Sequence, residues 1–578
     1  MHKTVQMVTT SFLALIAAGC LLTAPAQAST QQRETSLSGN FLAGRVAADA
    51  QETDLASQYF SDALKQDPGN AQLTERLFQL LVSSGQIAEA EKQAEDVLAA
   101  NSQHRLARIV VGLKALRDKK FDAARESFTE AAYTPVGELT SALLIAWTYV
   151  AEGSTTAALT ELDKLDANES FANFKSFHAA LISDVLNATV RTDAAYKKAY
   201  ADAGSSLRVT QAYGNYLERK GRAKEAIDIY KSFLANSDGN LLVSEALARA
   251  EKGIIPSPFI ADAQAGAGEA LFSLAAAMND DQSIDVAQIY AQLALSTAAD
   301  RPVTLTLLGD IFAARRNYQA AIETYDAIAP TSVLRTNAET EIALNLQRLE
   351  KPAEAEQKLR AVAARQPGNY DVLVTLGNLL RNSENYRDAD SFYTQALGLV
   401  AKPERQQWSV YYYRGIVRER MKTWPAAEAD FRKALELSPE EPSVLNYLGY
   451  SLIDANLKLD EAIGMVKKAV DAKPNDGYIV DSLGWAYFQL RDFEEAVVHL
   501  ERATDLRAGD PIIAEHLGDA YWRVGRRLEA KFQWQHAKDN KPEPDDLKRI
   551  EGKLRDGMPE LPPLVKPADN SKAGGSNG

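Results

Sequence analysis

Histidine, cysteine and carboxylate side chains are the groups from which this chain could build a metal site or a catalytic centre. The histidines are His2, His104, His178, His499, His516 and His536. No two of them lie three or four residues apart, the spacing that places two ligands on one face of a helix. We therefore expect no metal site and no cofactor. His516 is the histidine best suited to a functional role, and we expect it to be a partly exposed helix residue.

Other motifs of catalysis are also missing from the sequence. The acid pairs Glu440-Glu441 and Glu494-Glu495 lie at turns or helix starts, where carboxylates favour the helix dipole. Gly266-Ala267-Gly268 follows no predicted strand and has no accompanying Gly-Lys-Ser/Thr, so it does not predict a phosphate site. No nucleophile and base have a spacing that indicates a reaction centre. The sequence therefore predicts a protein that is not an enzyme.

The composition indicates a folded, acidic protein. Hydrophobic residues make up 46% of the chain, and the formal net charge is -14. The longest cluster of basic residues is the short run Arg117-Asp118-Lys119-Lys120. Because an acidic chain without a basic stripe is repelled by phosphate backbones, we expect no nucleic-acid partner.

The first 28 residues have the pattern of an export signal. Lys3 supplies a short positive region, residues 8–22 are largely apolar, and a small-x-small cleavage site ends at Ala28. The apolar run is too short to predict a membrane span. We therefore expect a signal peptide at residues 1–28 and an exported mature chain.

The single cysteine lies inside this leader and leaves two interpretations open. In the first, Cys20 is an apolar residue that is removed with the signal peptide. In the second, Ala17-Ala18-Gly19-Cys20 resembles a bacterial lipobox, and Cys20 is lipidated as the new N-terminus. In either case no disulfide can form within the chain.

Small residues recur along the chain at an interval of about 34 residues. Ala56, Ala90 and Ala124 have this spacing, and a glycine or alanine such as Gly44 precedes many of these positions by about twelve residues. A repeat of this length is typical of helical hairpins that stack in line into a solenoid. Gly44 is expected to face Ala56, because small side chains let two helix axes approach closely.

Breaks in the register of the repeat divide the chain. We predict an N-terminal array at residues 37–240, an irregular joint at residues 241–267 and a C-terminal array at residues 268–544. A charged capping helix is expected at residues 545–556 and a disordered tail at residues 557–578. The predicted fold class is all-α, with about fourteen helical hairpins in two arrays.

Several segments resemble tetratricopeptide repeats. Leu448-Gly449-Tyr450, Leu483-Gly484-Trp485-Ala486-Tyr487 and Leu517-Gly518-Asp519-Ala520-Tyr521 resemble the first helix of such a repeat. The run from Ala427 to Pro439 resembles the second helix almost position for position. The last repeats also resemble exported, envelope-associated tetratricopeptide proteins of Gram-negative bacteria. The resemblance implies a superhelical solenoid whose first helices line a concave groove.

The resemblance further implies that partners bind in this groove, at side chains that the first helices turn inward. Aromatic side chains mixed with amides, acids and arginines anchor peptide ligands. For each aromatic, packing between neighbouring repeats is the alternative, and it is preferred for Trp408, Trp424 and Trp534. The predicted partner-binding residues are Asn378, Arg381, Tyr412, Arg420, Asn446, Tyr450, Tyr478, Asp481, Trp485, Phe488, Asp519, Trp522 and Arg523.

These observations favour a periplasmic scaffold that binds peptide or helical segments of envelope proteins. The alternative is an outer-membrane lipoprotein, anchored at Cys20 and facing the periplasm, that serves an outer-membrane assembly or a polysaccharide-export machine. In that case alone the chain contacts a membrane. A third class, an enzyme or carbohydrate-binding protein, would use Trp485 and Trp522 as stacking platforms.

Overall fold

The computed structural model describes residues 36–560 except 238, 281, 298, 299 and 456, and omits the side chain of Thr189. The predicted signal peptide, with Cys20, lies outside the described residues, as does the tail from residue 561 onward. The described part of the chain contains thirty α-helices, three short 3-10 helices and no strand. The predicted all-α class is therefore confirmed.

The helices follow one another as consecutive pairs, with α13 and α30 left single. The first fifteen are α1 (Leu37–Asp49), α2 (Thr53–Gln66), α3 (Ala71–Ser83), α4 (Ile87–Ala100), α5 (Arg105–Arg117), α6 (Phe121–Glu130), α7 (Pro135–Ala151), α8 (Thr155–Asp163), α9 (Ala172–Val185), α10 (Thr189–Ala203), α11 (Leu207–Arg219), α12 (Ala223–Ala235), α13 (Leu241–Glu251), α14 (Ala263–Ala277) and α15 (Ile284–Ser296). The other fifteen are α16 (Arg301–Ala314), α17 (Tyr318–Asp326), α18 (Arg335–Arg348), α19 (Pro352–Arg365), α20 (Tyr370–Asn382), α21 (Tyr386–Gly398), α22 (Trp408–Arg420), α23 (Trp424–Leu437), α24 (Pro442–Asp454), α25 (Leu459–Ala472), α26 (Gly477–Gln489), α27 (Phe493–Leu506), α28 (Pro511–Arg523), α29 (Arg527–Asp539) and α30 (Pro544–Asp556). The 3-10 helices are Lys164–Ala167, Glu169–Phe171 and Arg405–Gln407.

The chain forms two compact units, which divide between Ile311 and Phe312, inside α16. The joint predicted at residues 241–267 lies within unit 1 instead, where it contains α13 and the beginning of α14. Helices α14 and α15 belong to unit 1 because they pack on the earlier helices α3, α7 and α9, and the predicted division into two arrays stays a prediction. In unit 2, α30 occupies residues for which a capping helix is predicted.

Turns between the helices of a pair use a residue with left-handed backbone geometry. Gly85 and Gly221 have φ values of 79° and 73°, as the sequence leads one to expect for turn glycines. In other pairs the same kind of turn is made by a residue with a Cβ, such as Lys119, Glu384 or Lys422. Turn glycine is therefore one of several residues that close these hairpins.

Many hairpins are held by a small residue in the first helix and a large one in the second, and α3–α4 reverses the order with Phe78 and Ala94. Ala56 is fully buried, and the neighbour that a Cβ at Gly44 would meet is the ring of Phe60, at 3.0 Å. Gly415 and Phe431 repeat this arrangement in unit 2, with a distance of 2.6 Å. The glycines therefore make room for an aromatic ring sixteen residues later, which the spacing alone does not reveal.

Candidate partner-binding surface

Several first helices of the hairpins in unit 2 bury one stripe and leave another partly exposed. We refer to the first helix of each hairpin as its inner helix. The buried residues of α24 are Val444, Leu445, Leu448, Gly449, Leu452 and Ile453. This spacing is a core-facing stripe, and α20 has a similar one. Asn446 and Tyr450 lie between the buried positions of α24 and are half-buried.

The predicted partner-binding residues all lie on inner helices of unit 2. They comprise Asn378 and Arg381 on α20, Tyr412 and Arg420 on α22, Asn446 and Tyr450 on α24, Tyr478, Asp481, Trp485 and Phe488 on α26, and Asp519, Trp522 and Arg523 on α28. Asp481, Phe488 and Asp519 are buried, Arg420 and Tyr478 are exposed, and the others are intermediate. Their binding of a partner stays a prediction.

Tyr412 belongs to a cluster of rings between neighbouring hairpins. Its ring centroid lies 5.9 Å from that of Tyr447 in an edge-on arrangement and 6.1 Å from that of Phe431. Burial raises the pKa of Tyr412 to about 12. The cluster therefore serves inter-hairpin packing, with one half-buried ring at its inner edge.

Asn378 and Arg381 are each held by an aromatic side chain. The Tyr393 hydroxyl donates a hydrogen bond of 2.7 Å to Asn378 Oδ1. The Arg381 guanidinium lies 4.0 Å from the centre of the Tyr413 ring. These contacts hold an amide and a cation in place on the inner side of α20.

Trp485 is stacked within the protein. Its ring lies 4.7 Å from Phe488 and 4.0 Å from His516, close to parallel with both. His516 Nδ1 is 3.0 Å from the Asp481 carboxylate. Burial lowers the pKa of His516, but Asp481 outweighs burial and the net pKa is raised. The expectation of a partly exposed His516 is wrong, because α26 and α28 enclose it until 8% of its surface remains accessible.

Asp519 is engaged by helix α30 rather than left for a ligand. The Lys553 ammonium lies 2.5 Å from Asp519 Oδ2 and 2.7 Å from Glu515 Oε1. Arg549 donates to both Glu515 oxygens, at 2.7 and 2.6 Å. Arg549 and Lys553 follow their acidic partners by 34 residues, so α30 occupies the place of a further inner helix.

Trp522 and Arg523 are covered by the chain that follows α30. A Cβ at Gly557 would overlap the Trp522 ring, and Arg523 Nη1 donates a hydrogen bond of 2.8 Å to the Pro559 carbonyl. Burial lowers the pKa of Arg523. With Trp485 stacked and Trp522 covered, the two rings are not free platforms for a sugar.

Tyr478 lies at the edge of the inner helices, in a cleft of about 820 Å³ formed by the loops before α26 and α28. The Arg507 guanidinium lies 4.1 Å from the centre of its ring, and the tyrosine keeps 49% of its surface accessible. Lys473 also lines the cleft. Tyr478 and its two basic neighbours are therefore accessible to a partner.

Tyr450, Asn446 and Arg420 form a part of the predicted site on α22 and α24 that stays at least partly accessible. Burial raises the pKa of Tyr450 to about 12. Asn446 Oδ1 is buried and has no hydrogen-bond partner within the described part of the chain. The Arg420 side chain keeps 58% of its surface accessible. A hydrogen-bond acceptor (Asn446), an aromatic ring (Tyr450) and a cation (Arg420) thus lie on the neighbouring inner helices α22 and α24.

A buried ion network beside this surface was not predicted. Arg414 Nε and Nη2 donate to the Asp430 carboxylate at 2.9 and 2.7 Å, and Arg418 Nη1 donates to the same group at 2.8 Å. Arg418 also pairs with Asp390 of the preceding hairpin. An aspartate sixteen residues after an arginine, at the glycine–aromatic offset, is the signal that could have found this network.

Residues 36–560, apart from the gaps, lack two features of other protein classes. No group of three or more His, Cys, Asp or Glu side chains is placed to hold a metal ion there. No helix in the same residues combines the length and the apolar character needed to cross a bilayer.

Two tetratricopeptide repeat family profiles match this chain. One matches residues 47–111, in unit 1, and the other matches residues 374–442, 414–477 and 482–534, in unit 2. The chain therefore contains tetratricopeptide repeats in both units. Such repeats are those of protein–protein interaction scaffolds, and proteins that carry them bind other proteins or peptides.

Similarity to characterised tetratricopeptide repeat proteins is low. The TPR repeat-containing protein PA4667 of Pseudomonas aeruginosa is 26% identical over 184 residues, which is 32% of this chain and 30% of that relative. The chain thus matches less than a third of the relative's length.

Among solved structures, the APC/C hetero-tetramer Cut9–Hcn1 is 15% identical, with 90% of this chain and 96% of that one covered and a TM-score of 0.37. Yeast Tom70 is 14% identical, with 90% and 95% covered and a TM-score of 0.33.

Proposed function

We propose that this chain is an exported scaffold of the bacterial envelope that binds peptide or helical segments of other envelope proteins on the inner helices of unit 2. The central part of this surface comprises α20, α22 and α24. The observation that carries the proposal is the exposed stripe of α22 and α24, where Tyr450, Asn446 and Arg420 remain partly accessible after the hairpins have packed. Rings, amides and arginines that are held in place but not fully covered are typical of peptide-binding surfaces.

Contacts within unit 2 support this assignment. Ion pairs join neighbouring hairpins of the unit, as from Arg418 to Asp390 and from Arg432 to Glu461. At the end of the unit, α30 covers α28, where every residue from Ile513 to Tyr521 is buried. We therefore place the partner on α20–α26 and assign Asp519, Trp522 and Arg523 to the end of the array.

The export half of the proposal rests on the leader. Residues 1–28 have the charge, apolar run and cleavage pattern of a signal peptide. Cell fractionation of the full-length chain should find the shortened protein in the periplasm, and a variant without residues 2–28 should stay in the cytoplasm. Recovery of uncleaved wild-type chain in the cytoplasm would rule out export.

The leader also permits the lipid-anchored form, in which the chain faces the periplasm from the outer membrane. Metabolic labelling with a fatty-acid analogue distinguishes the two forms. Label that disappears in Cys20→Ser supports the anchored form, and unlabelled wild-type protein supports the soluble one.

Photo-crosslinking tests the binding surface. A benzoylphenylalanine in place of Tyr450, in the full-length chain expressed in its native cell, should capture a discrete protein on illumination. The matched control replaces Val498, which is 59% exposed on α27, a second helix. Adducts at position 450 that are absent at position 498 support the proposal. Equal adducts at both positions, or none at position 450, contradict it.

A further inference from the structure

The inner helices α7 and α11 of unit 1 have no exposed stripe, whereas α1 and α3 keep one. In α7, every residue from Leu139 to Thr148 is buried, so the helix is covered on all sides. In α11, Arg208 and Glu218 are buried together with most of the residues between them. Stacking of adjacent hairpins covers one face of such a helix, as α24 shows in unit 2. Another element must therefore cover the second face.

Helices α14 and α15 provide that cover. Tyr290 on α15 lies 3.0 Å, between hydroxyl oxygens, from Thr140 on α7. Gln288 Nε2 and Gln292 Nε2 donate to the Ser83 carbonyl, at the end of α3, at 2.8 and 3.3 Å. These contacts join residues 150 to 209 positions apart in the sequence. The α14–α15 pair thus crosses inner helices that lie more than one repeat apart.

The centre of this contact is closely fitted. Gly266 of α14 lies against the Trp147 ring, and a Cβ at Gly266 would overlap the indole. Arg208 of α11 donates from Nε to Glu269 Oε1 at 3.0 Å, and Glu269 keeps only 1% of its surface accessible. The Arg208 guanidinium also lies 4.4 Å from the centre of the Phe259 ring. A small residue, a ring and a buried ion pair therefore fix the position of α14.

The segment that precedes α14 allows the α14–α15 pair to pack on the earlier helices α3, α7 and α11. Residues 254–258 form no helix, and Ile254 and Ile255 are 55% and 72% exposed. Asn215 Nδ2 of α11 donates a hydrogen bond of 2.9 Å to the Ser257 carbonyl of this segment. The α14–α15 pair is therefore joined to α13 by an extended connection instead of continuing the stack.

We propose that α14–α15 is an intramolecular ligand of the inner helices α7, α9 and α11 and of the end of α3, and that it closes the inner surface of α7, α9 and α11 to other proteins. The ligand that fits this surface is an antiparallel helix pair that places a glycine against Trp147 and a carboxylate beside Arg208. This assignment is independent of whether unit 2 binds a partner.

A binding experiment on the full-length chain tests this. The variant Gly266→Leu places a side chain where the Trp147 ring lies, and it should release α14–α15. Its matched control is Gly464→Leu, a helical glycine with nothing within 4 Å of its Cβ position. The probe is a fluorescent synthetic peptide of residues 257–297. A second variant, Glu269→Arg, places a cation beside Arg208 and releases the pair by charge repulsion.

Both release variants should bind the peptide saturably, and unlabelled peptide should compete. Wild type and the Gly464→Leu control should bind it at least about tenfold more weakly, because their own helices fill the site. Equal binding to all four proteins overturns the proposal. So does no binding to a release variant whose α1–α12 segment stays protected in amide exchange. Loss of that protection in both release variants also overturns it, because α14–α15 would then be part of the core.

Discussion

The two units carry the same kind of hairpin, but their inner surfaces differ. In unit 1, α7 is buried on all sides because α14–α15 cross it. In unit 2, α24 keeps a partly exposed stripe, and full cover is found at α28, beneath α30. The repeat therefore sets the stacking of hairpins, and it does not decide whether the inner surface is accessible. The accessibility of the inner surface depends on where a helix pair departs from the row of stacked hairpins and packs across earlier inner helices.

The largest expected difference between the units concerns their buried acids. Arg208→Ala leaves Glu269 buried with its ion-pair partner removed, which should lower the stability of unit 1 by about 3–5 kcal/mol. Arg549→Ala is the matched change in unit 2, and its cost should be several times smaller because Lys553 still pairs with Glu515. Amide exchange of α11, α14 and α28 measures both effects in the full chain. Equal losses of stability in the two variants would contradict this prediction, because Glu269 and Glu515 would then depend equally on their arginine partners.

A second prediction concerns pH, to which the units should respond with opposite sign. His178 in unit 1 is fully buried and accepts a hydrogen bond from Trp147, and burial lowers its pKa from 6.5 to about 3. The folded state then binds fewer protons than the unfolded state between these values. Unit 1 should be most stable above pH 6.5 and lose about 1.4 kcal/mol per pH unit below it.

His516 in unit 2 should behave in the opposite way. Its raised pKa means that Asp481 stabilises the charged ring, so this contribution is complete below pH 6.5 and is lost as pH rises through the raised pKa. Amide exchange of α9 and α28 between pH 5 and 9 reports the two responses. His178→Phe and His516→Asn should each reduce the pH dependence of stability in their own unit. If the stability of both units changed in the same direction with pH, the opposite signs assigned to His178 and His516 would be contradicted.

Hairpin packing should not distinguish the units. Gly112→Ala in unit 1 and Gly415→Ala in unit 2 each drive a Cβ into the ring of Phe128 or Phe431, and each should cost about 1–3 kcal/mol. Gly464→Ala, in an open helical position, should instead stabilise the chain by up to about 1 kcal/mol. Thermal unfolding measures all three. A large cost in one unit alone would mean that the hairpins are not equivalent.

The smallest expected effect is at the open surface of unit 2. Tyr478→Ala removes a half-exposed ring that lies against Arg507, a contact worth about 0.5–1 kcal/mol. Unfolding should therefore change little, whereas capture of a partner at position 450 should weaken. A loss of stability above that range would assign Tyr478 to the core.

The sequence predicts much of the hairpin architecture and little of the inner surface. The glycine and alanine interval of about 34 residues predicts helix pairs, and Arg549 and Lys553 follow Glu515 and Asp519 by one such interval. The pairing of Asp481 with His516 is less readable, because these residues lie 35 positions apart, one more than the interval from Gly484 to Gly518.

The return of α14–α15 was not predicted, although the sequence carries a signal for it. The stretch from Leu139 to Val150 and the stretch from Ala263 to Ala277 are apolar on nearly all sides, as expected of helices that are covered all round. Such a pattern indicates that another element packs on the face of the helix that the neighbouring hairpins leave free. Which element provides it depends on contacts between residues more than a hundred positions apart, which repeat spacing does not encode.

The most direct test compares photoreactive residues at two positions in the same cells. Benzoylphenylalanine at Tyr290, on the covering helix of unit 1, should link residues 284–296 to residues 135–151 of the same chain. At Tyr450, on the open surface of unit 2, it should link the chain to another protein. A separate protein captured at position 290, with residues 135–151 unlinked, would contradict the difference between the two surfaces.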